Sequence, residues 1–310
     1  MIAFRRGFST SFGARKSYGF IGLGRMGVNM AQNLRAKLPE SEKVVVYDVN
    51  PKAMKEITGP NVVMAGSVSE VAAEADTVLT MLPEGKHVRQ VYGEIAETCP
   101  GGQDKLFIDS TTHQVKTSLE TAALLKEKNI GSYVDAPVSG GVVGAKKGTL
   151  TFMIGAKDLS RVSPVLSLMG ARLVSCGGPG SGLAAKLANN YLLALNNIAT
   201  AEAFQLAKNL GLDMKMFSDL INTSTGRCWS SEVNTPCPGV NPDAPSSRGY
   251  EGGFGVPLMT KDLKLAIDAA NECKSQLVMA KNACDVYDAV LRDKEYADKD
   301  MSVIYKWLEQ

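Results

Sequence analysis

The sequence GGPGSGLAAKLANNYLLALNNIATA, at residues 177–201, separates two differently patterned halves of the chain. Its glycines and Pro179 mark a turn, and the good helix formers that follow predict a helix over residues 182–210, ended by Gly211. Such a helix is roughly 40 Å long at 1.5 Å per residue. It carries Lys186 among apolar residues, and burying a lysine is costly unless it has a partner or a function. We therefore expect the helix to join two domains and Lys186 to be a catalytic amine.

Asparagines occupy further polar positions on the predicted helix. Asn190 lies four residues after Lys186 and shares its face, and Asn197 falls two turns further along nearly the same line. The spacing places Asn190 beside Lys186. For Asn196 and Asn197 it leaves helix packing, interdomain hydrogen bonds and substrate binding equally open.

The sequence before this helix begins with a nucleotide-binding pattern. A short strand predicted over residues 18–21 runs into GLGRMG at residues 22–27, a helix follows over residues 28–38, and a second strand over residues 43–47 ends at Asp48. A GxGxxG motif in this context, with an acid about twenty residues later, is typical of dinucleotide binding. The pyrophosphate is expected at the helix N-terminus, where backbone amides are unpaired.

Each part of this pattern has a physical role. Gly22 allows the tight turn, Gly24 allows the pyrophosphate to approach the backbone, and Gly27 allows helix and strand to pack closely. A carboxylate at Asp48 binds the ribose hydroxyls and repels a 2′-phosphate, so NAD is favoured over NADP, although Lys52 lies just beyond. The residues of this region assigned to the cofactor are Gly22, Leu23, Gly24, Met26, Gly27 and Asp48.

Strands and helices continue to alternate up to residue 180. The predicted strands are residues 62–64, 77–82, 106–109, 133–136, 149–154 and 172–176, and the predicted helices are residues 67–74, 87–97, 114–128 and 159–168. This alternation predicts an α/β domain with a parallel sheet, whose ligands lie at the carboxyl ends of the strands. Leu82 and Pro83 follow one strand and residues 110–112 follow another, so they are either ligand contacts or ordinary turns.

A glycine-rich segment, DAPVSGGVVGA, follows at residues 135–145 and is predicted to be a loop with an exposed backbone. Consecutive amides without bulky side chains can bind a carboxylate. The segment is therefore a candidate for binding a carboxylate.

The second half of the chain is helical in pattern. Helices are predicted over residues 214–222, 258–274, 277–292 and 301–308. The sequence thus divides into an α/β domain at residues 17–180 and an all-helical domain at residues 181–310. Residues 227–254, rich in Pro, Gly and Ser, are too long for a simple connection and predict an ordered loop beside the cleft. Lys261 opens one of the helices and could be an ordinary surface lysine.

The composition excludes several classes of function. The 310 residues are 45% hydrophobic with a net charge of +2, which is typical of a globular protein and too small a charge for nucleic-acid binding. The sequence contains no apolar run long enough to predict a transmembrane span. The six cysteines lack CxxC spacing and are predicted to be free thiols, and the two histidines lie far apart, so no metal site is predicted.

Residues 1–16, MIAFRRGFSTSFGARK, have the pattern of a targeting segment. They are basic and rich in hydroxyl residues, and the first acidic residue is Glu40. This pattern is typical of a mitochondrial presequence, with a disordered basic tail as the alternative. We expect a mitochondrial presequence and a fold that begins near Tyr18.

Taken together, the motifs resemble the β-hydroxyacid dehydrogenase family, and within it the 3-hydroxyisobutyrate branch. The resemblance covers the chain from Tyr18 onward, and the loop of residues 227–254 also looks like this branch. It rests on GFIGLGRMG at 19–27, MLP at 81–83, DSTT at 109–112, DAPVSGGVVGAKKGTLTFMIG at 135–155, GSGLAAKLANN at 180–190 and GGFGVPLMTKDLKLA at 252–266. The resemblance implies a Rossmann-type α/β domain and an all-α domain joined by a long interdomain helix, assembled as a homodimer or homotetramer.

The resemblance also implies roles for individual residues. The matching positions are Lys186 for the catalytic lysine, Asn190 for a substrate-binding asparagine, Ser139, Gly140 and Gly141 for the loop that holds the substrate carboxylate, and Leu82, Pro83, Thr112 and Lys261 for cofactor contacts. His87 stands where relatives often have asparagine. The implied reaction is the NAD-dependent oxidation of (S)-3-hydroxyisobutyrate to methylmalonate semialdehyde in valine breakdown in the mitochondrial matrix, with Lys186 as general acid and base.

Three alternatives remain beside this interpretation. An NADP-linked semialdehyde or glyoxylate reductase of the same fold is disfavoured by Asp48. A non-catalytic relative that only binds the cofactor would be expected to lack the lysine. A sugar-acid phosphate dehydrogenase is disfavoured because the second domain is short and has no evident arginine cluster for a phosphate.

Overall fold

The first half of the chain forms a six-stranded parallel sheet with helices packed against it. The computed structural model describes residues 16–309, so the predicted presequence lies outside the described residues except for Lys16. The strands are β1 (Ser17–Ile21), β2 (Lys43–Tyr47), β3 (Val62–Met64), β4 (Thr77–Thr80), β5 (Lys105–Asp109) and β6 (Gly131–Asp135). The helices between them are α1 (Gly27–Lys37), α2 (Pro51–Met54), α3 (Val68–Glu74), α4 (Gly85–Thr98) and α5 (Val115–Glu127).

The strand order is β3-β2-β1-β4-β5-β6, with every neighbouring pair parallel. The direction of winding reverses between β1 and β4, and a doubly wound sheet opens a ligand crevice at such a point. Val44, Val45 and Val46 of β2 are all fully buried, because helices cover both faces of the sheet. The predicted Rossmann-type α/β fold is confirmed.

The chain after β6 builds a separate three-stranded sheet. Its strands are β7 (Val138–Ser139), β8 (Leu150–Ile154) and β9 (Gly170–Ser175). The prediction of a single loop over residues 135–145 is wrong, because Gly141–Lys147 forms helix α6. Glycine and β-branched residues are poor helix formers, so the sequence did not reveal α6, which packs against α1 and β8.

Two predicted boundaries in this half are also wrong. The helix predicted over residues 159–168 is shortened to α7 (Ser163–Leu166), since Pro164 fits only the first turn of a helix. The strand predicted over residues 77–82 ends at Thr80, and the Leu82 amide instead donates a 2.9 Å hydrogen bond to Thr111 Oγ1.

The second half is largely helical, as predicted. Helix α8 (Ser181–Asn209) contains 29 residues and matches the predicted interdomain helix closely. The remaining helices are α9 (Met214–Asn222), α10 (Trp229–Glu232), α11 (Val256–Glu272), α12 (Ala280–Arg292) and α13 (Ile304–Trp307), with short 3-10 helices at Pro245–Arg248 and Met301–Val303. Helix α12 begins three residues later than predicted.

Asn197 explains part of the polar pattern of α8. Its side chain is fully buried, and Nδ2 donates to the Tyr287 hydroxyl at 3.0 Å and to the Met301 carbonyl at 2.9 Å. These bonds tie α8 to α12 and to the C-terminal segment. Of the roles left open for Asn197, the structure therefore supports helix packing.

The loop of residues 227–254 is anchored to the C-terminal segment through Asp300. This buried carboxylate accepts hydrogen bonds from Asn234 Nδ2 at 3.0 Å and from the Phe254 amide at 2.7 Å. The loop is thus held in place by buried hydrogen bonds, and its place beside the cleft stays a prediction. Within residues 16–309, no helix has both the length and the apolarity to cross a bilayer, and no three His, Cys, Asp or Glu side chains converge as metal ligands.

Candidate active site

The glycine loop between β1 and α1 is crowded at two glycines and open at the third. Gly22 has φ +93°, and a Cβ there would lie 2.4 Å from the carbonyl oxygen of Met81. A Cβ on Gly27 would lie 1.9 Å from the carbonyl oxygen of Gly22. A Cβ on Gly24 would meet no atom of the described chain within 4 Å. This open space lies where the second glycine of the motif admits a pyrophosphate, so the loop fits a dinucleotide.

Asp48 lies at the carboxyl end of β2 and holds this loop. Its Oδ2 accepts a 2.6 Å hydrogen bond from the Leu23 amide, and its Oδ1 accepts a 2.7 Å bond from the Asn50 amide. The carboxylate is half-buried, and each oxygen has a further lone pair. The structure thus brings Asp48 beside the glycine loop, whose remaining predicted contact, Met26, is half-buried immediately before α1.

The other predicted cofactor residues lie beyond β4 and β5. Leu82 is half-buried, Pro83 is exposed, and the Thr112 carbonyl accepts a 3.0 Å hydrogen bond from Lys261 Nζ. Lys261 is therefore not an ordinary surface lysine, because it links α11 to the end of β5. A hollow of about 370 Å³ is lined there by Glu84, Gly85, Lys86, Arg89, Thr112, His113, Gln114, Lys261, Lys264, Leu265 and Asp268. Since its lining does not include Lys186 or Asn190, the hollow lies outside the predicted substrate site.

A buried network at the end of β5 supports the turn that carries Thr112. Asp109 Oδ1 accepts hydrogen bonds from Thr80 Oγ1 at 2.8 Å and from the Thr111 amide at 3.0 Å. Its Oδ2 contacts His113 Nε2 at 2.8 Å and accepts from the Tyr133 hydroxyl at 2.9 Å. Burial opposes the charge of Asp109, but the hydrogen bond and positive charge of His113 outweigh it and lower the pKa of the carboxyl.

The His113 ring is itself held between two acceptors. Nδ1 lies 3.0 Å from the carbonyl oxygen of Gln114, and Nε2 faces the Asp109 carboxylate. His113 and Asp109 thus form a hydrogen-bonded pair with both side chains removed from solvent.

Asp135, at the end of β6, caps the helix that carries Lys186. Its Oδ1 accepts a 2.7 Å hydrogen bond from the Gly180 amide, and its Oδ2 accepts a 2.9 Å bond from the Leu183 amide. These amides belong to the first turn of α8, which would otherwise leave them unpaired. A Cβ on Gly182 would lie 2.9 Å from Asp135 Oδ2, so glycine is required for this contact.

Lys186 is buried, and its amine points at the glycine-rich segment. Nζ donates a hydrogen bond to the carbonyl oxygen of Val138, the residue before Ser139. Burial lowers the pKa of Lys186; the Asp262 carboxylate raises it and the positive charge of Lys261 lowers it, and the net effect is a lowered pKa. A buried lysine with a lowered pKa beside an exposed loop is a candidate acid or base.

Asn190 lies one turn after Lys186 and is held by Asp262. Its Nδ2 donates a 2.7 Å hydrogen bond to Asp262 Oδ2, and the second carboxylate oxygen lies 3.3 Å from Lys261 Nζ. Because a carboxylate only accepts, Asp262 fixes which way the Asn190 amide faces. The structure thus connects Lys186, Asn190, Lys261 and Asp262 at the junction of α8 and α11.

The predicted carboxylate loop lies where β7 leads into α6. Ser139 and Gly140 are exposed and Gly141 is half-buried. Gly140 and Gly141 both have positive φ, +128° and +60°, a conformation that L side chains rarely adopt. These positions therefore favour glycine, and the backbone of residues 140 and 141 carries no side chain that would block a ligand.

Sequence reasoning missed Asp109, Asp135 and Asp262 as functional supports. Asp109 and Asp135 are the last residues of β5 and β6, and this position could have marked them as strand-end carboxylates. Asp262 directly follows Lys261, but its neighbours are visible only once α8 and α11 are packed together. His87 is half-buried on α4 and outside the lining of the 370 Å³ hollow.

Comparison with known proteins supports the interpretation drawn from the motifs. Residues 17–178 match the model for the NAD binding domain of 6-phosphogluconate dehydrogenase, and residues 180–308 match the model described as NAD-binding of NADP-dependent 3-hydroxyisobutyrate dehydrogenase. These descriptions do not distinguish NAD from NADP as the cofactor of this chain.

Relatives of similar length match the chain from end to end. It is 42% identical to a mitochondrial 3-hydroxyisobutyrate dehydrogenase of Drosophila melanogaster, over 98% of this chain and 93% of the relative. It is 40% identical to a probable mitochondrial 3-hydroxyisobutyrate dehydrogenase of Dictyostelium discoideum, over 100% and 96% of the two chains. A solved Mycobacterium tuberculosis 3-hydroxyisobutyrate dehydrogenase with L-serine matches with a TM-score of 0.89 and 38% identity, over 96% of this chain and 100% of that one. The chain therefore belongs to the 3-hydroxyisobutyrate dehydrogenase family of oxidoreductases.

Proposed function

We propose that this protein oxidises (S)-3-hydroxyisobutyrate to methylmalonate semialdehyde with NAD, with Lys186 as the general base. The observation that carries the proposal is the buried Lys186 amine, which donates to the Val138 carbonyl next to Ser139 in the chain and lies one helical turn from Asn190. Family membership supports the reaction type. The choice of NAD, the individual roles and the place in valine catabolism are inferred from this chain's residues and its motif resemblance.

NAD, when bound, supplies the acceptor for the hydride that leaves the hydroxyl-bearing carbon. The residues that would hold it are the glycine loop with Leu23 and Met26, Asp48, Leu82, Pro83, Thr112 and Lys261. Asp48 supports NAD over NADP, because its carboxylate lies beside the loop and would repel a 2′-phosphate.

Lys186 removes the hydroxyl proton in the oxidation and returns it in the reverse reaction. It must be neutral to accept a proton, and its lowered pKa increases the neutral fraction at a given pH. The hydrogen bond to the Val138 carbonyl orients the amine, so that its lone pair can face a substrate bound beside Ser139.

The substrate would be held at both ends. Its carboxylate would bind the amides and hydroxyl of residues 139–141, and Asn190 would bind the reacting hydroxyl. The Nδ2 group has two hydrogens, one of which is used by Asp262, so the other can be donated to substrate.

The test of the chemical role is substitution of Lys186. We expect Lys186→Ala to reduce kcat/KM by about 10²–10⁴-fold or more, as for loss of a general base, while NAD still binds. Lys186→Arg should fail as well, because guanidinium does not release its proton in proteins. Lys281→Ala, which changes a lysine whose side chain is 83% exposed, is the matched control. Turnover by Lys186→Ala at the rate of the control would refute the role.

A panel of substrates and cofactors tests which acid and which nicotinamide cofactor the enzyme prefers. Initial rates would be measured for 3-hydroxyisobutyrate, serine, 3-hydroxypropionate and glycerate, each with NAD and NADP. Serine is included because a relative was solved with L-serine. We expect the highest kcat/KM for 3-hydroxyisobutyrate with NAD, and a clear preference for another acid would overturn the substrate assignment.

An NADP-linked reductase is the one alternative that an independent observation favours. The family model that matches residues 180–308 is described by an NADP-dependent 3-hydroxyisobutyrate dehydrogenase, which favours the NADP part of the alternative, an NADP-linked semialdehyde or glyoxylate reductase. The panel distinguishes the two, because that alternative requires faster turnover with NADP.

The proposed compartment is the mitochondrial matrix. It rests on the basic, acid-free residues 1–16 and on relatives whose names include the mitochondrion. A fusion of residues 1–16 to a fluorescent protein should be imported into mitochondria, and a cytosolic signal would contradict the assignment.

A further inference from the structure

Asn33 joins the helix that follows the glycine loop to the helix that follows the predicted carboxylate loop. Its side chain is half-buried on α1, and Nδ2 donates hydrogen bonds to the Ala145 carbonyl at 2.8 Å and to the Lys146 carbonyl at 3.1 Å. These carbonyls belong to the last turn of α6, where the helix itself supplies no partner four residues on. Asn33 therefore caps α6 from a position 112 residues earlier in the chain.

A second contact holds α1 against the same part of the fold. Lys37 lies one turn after Asn33 on the same face of α1, and its Nζ donates a 2.7 Å hydrogen bond to the carbonyl oxygen of Leu168, two residues before β9. Gly148, directly after α6, lies close to both side chains. A Cβ there would be 2.7 Å from Asn33 Oδ1 and 2.6 Å from Lys37 Nζ. The packing of α1 against the end of α6 therefore leaves no room for a side chain.

Helix α6 depends on these contacts because its own sequence favours a helix only weakly. Four of its seven residues are Gly141, Val142, Val143 and Gly144, and glycine and β-branched residues are poor helix formers. A helix of two turns is also too short to be stable by itself. The position of α6 is therefore set by its packing against α1 and β8.

The other end of α6 continues into the predicted carboxylate loop. Ala145 lies four residues after Gly141, which is about 6 Å along the helix. The Gly144 amide donates a 3.0 Å hydrogen bond to the Gly140 carbonyl, so the loop is joined directly to the body of α6. A shift of the last turn of α6 would therefore move Gly140 and Gly141 with it.

The helix that carries Asn33 also supports the cofactor side of the site. Helix α1 begins at Gly27 of the glycine loop, and Asn33 lies six residues further on, or about 9 Å along the axis. The first turn of α1 faces the expected pyrophosphate, and its later turns hold α6. A change at Asn33 should therefore disturb the substrate loop and leave the glycine loop in place.

We infer that Asn33 is a positioning residue, which fixes the loop of residues 139–141 for the substrate carboxylate. The inference rests on the proposed assignment of that loop to the carboxylate. In Asn33→Ala, we expect the KM for 3-hydroxyisobutyrate to rise about tenfold, because α6 loses its cap, while the Kd for NAD measured by calorimetry changes less than about twofold. Hydrogen exchange should become faster at the amides of α6.

Gln32→Ala is the matched control for this variant. Gln32 is the neighbouring half-buried amide on α1, but it bonds to the backbone of Thr58 and not to α6. We expect the KM and the hydrogen exchange of α6 to stay near those of the wild type. Equal increases in KM for Asn33→Ala and Gln32→Ala would overturn the inference.

The methyl ester of 3-hydroxyisobutyrate separates positioning of the loop from a general loss of structure. The ester keeps the hydroxyl but lacks the negative charge, so Asn33→Ala should lower kcat/KM for the acid about tenfold more than for the ester. A partly unfolded enzyme would lose both activities equally. Asn33→Leu removes the donor but keeps a branched side chain of similar size, and it should show the same selective loss even if Asn33→Ala does not fold. An acid-to-ester ratio unchanged in both variants would overturn the inference.

A direct change in the loop distinguishes failure of this role from failure of the proposed function. Gly140→Ala adds a side chain at φ +128°, which L residues rarely adopt, and should displace the loop itself. A lowered acid-to-ester ratio in Gly140→Ala but not in the Asn33 variants would overturn the role of Asn33 alone. An unchanged ratio in Gly140→Ala would overturn the assignment of the carboxylate to this loop, and the role of Asn33 with it.

Discussion

Asp109 and Asp135 are partners in the register of β5 and β6, and both are fully buried, yet their carboxylates are held in different ways. Asp109 is surrounded mainly by side chains, including His113, whereas Asp135 binds backbone amides of α8. Burial raises the pKa of Asp135, and the hydrogen bonds from the backbone amides do not offset this rise. Burial also acts to raise the pKa of Asp109, but the hydrogen bond and charge interaction with His113 are stronger, so that this pKa is lowered. The strand end therefore determines where each carboxylate lies. The groups around the carboxylate determine whether its pKa is raised or lowered.

The two carboxylates also support different parts of the proposed site. Asp109 holds the turn that carries Thr112 on the cofactor side. Asp135 holds the first turn of α8, which leads to Lys186 on the substrate side. Substituting each in turn should therefore separate cofactor binding from catalysis.

The largest effect is expected for Asp109→Asn. The amide would replace the buried carboxylate oxygen that contacts the His113 ring and would set an NH₂ group against donors of the network. We expect the free energy of unfolding to fall by about 3–5 kcal/mol, measured by urea denaturation at pH 7. Asp104→Asn, at a carboxylate 84% exposed, should cost less than about 1 kcal/mol. Equal losses in the two variants would mean that the contacts of the buried Asp109 carboxylate contribute little to stability.

Asp135→Ala should have a smaller effect on stability and a selective effect on turnover. It removes the acceptors of two buried amides, at a cost of about 2 kcal/mol. Because the first turn of α8 loosens just before Lys186, we expect kcat to fall while the Kd for NAD stays near that of the wild type. Asp158→Ala is the control, since that exposed aspartate also accepts a backbone amide. Loss of NAD affinity instead of kcat would contradict the division between the two carboxylates.

The opposite pKa shifts predict opposite pH dependences. Above its unfolded pKa, Asp109 contributes stability that is lost as pH falls through its lowered folded pKa. Asp135 contributes most below its unfolded pKa and loses this as pH rises through its raised folded pKa. Between pH 6 and pH 3, the stability advantage of wild type should shrink relative to Asp109→Asn and grow relative to Asp135→Asn. The urea midpoints of wild type and each variant, measured at each pH, give the two stability differences. If both differences changed in the same direction with pH, the comparison would be refuted.

The sequence was sufficient for the parts of the molecule that depend on local pattern. The strand at residues 43–47 was predicted to the residue, and α8 to within one residue at each end, because apolar periodicity and flanking glycines define them. Helix α6 was missed because Gly141, Val142, Val143 and Gly144 are poor helix formers, so its stability comes from packing.

The supports of the site depend on contacts that are distant in sequence. The bond from Gly180 to Asp135 spans 45 residues, and the bond from Asn190 to Asp262 spans 72. Spacing could bring Lys186 and Asn190 together, since both lie on one helix. No local pattern indicates which carboxylate will meet them, because that is decided by how α8 packs against β6 and α11.

A third buried carboxylate, Asp262, extends the comparison from stability to the pH profile of catalysis. Its charge raises the pKa of Lys186 against the lowering effect of burial. Asp262→Asn should therefore lower that pKa further and increase the neutral amine at a given pH. The rising limb of kcat/KM against pH for alcohol oxidation should move to lower pH.

The direction of this shift separates an electrostatic role from a structural one. If Asp262 only positioned Asn190, the variant would change KM or kcat without moving the limb. Asp268→Asn, at an exposed carboxylate on the same helix, should leave the limb in place. A limb that stays fixed or moves to higher pH in Asp262→Asn would contradict control of Lys186 by this carboxylate. A shift to lower pH would identify Asp262 as the buried aspartate whose charge acts on the proton-transfer step itself, whereas Asp109 and Asp135 act on the framework around it.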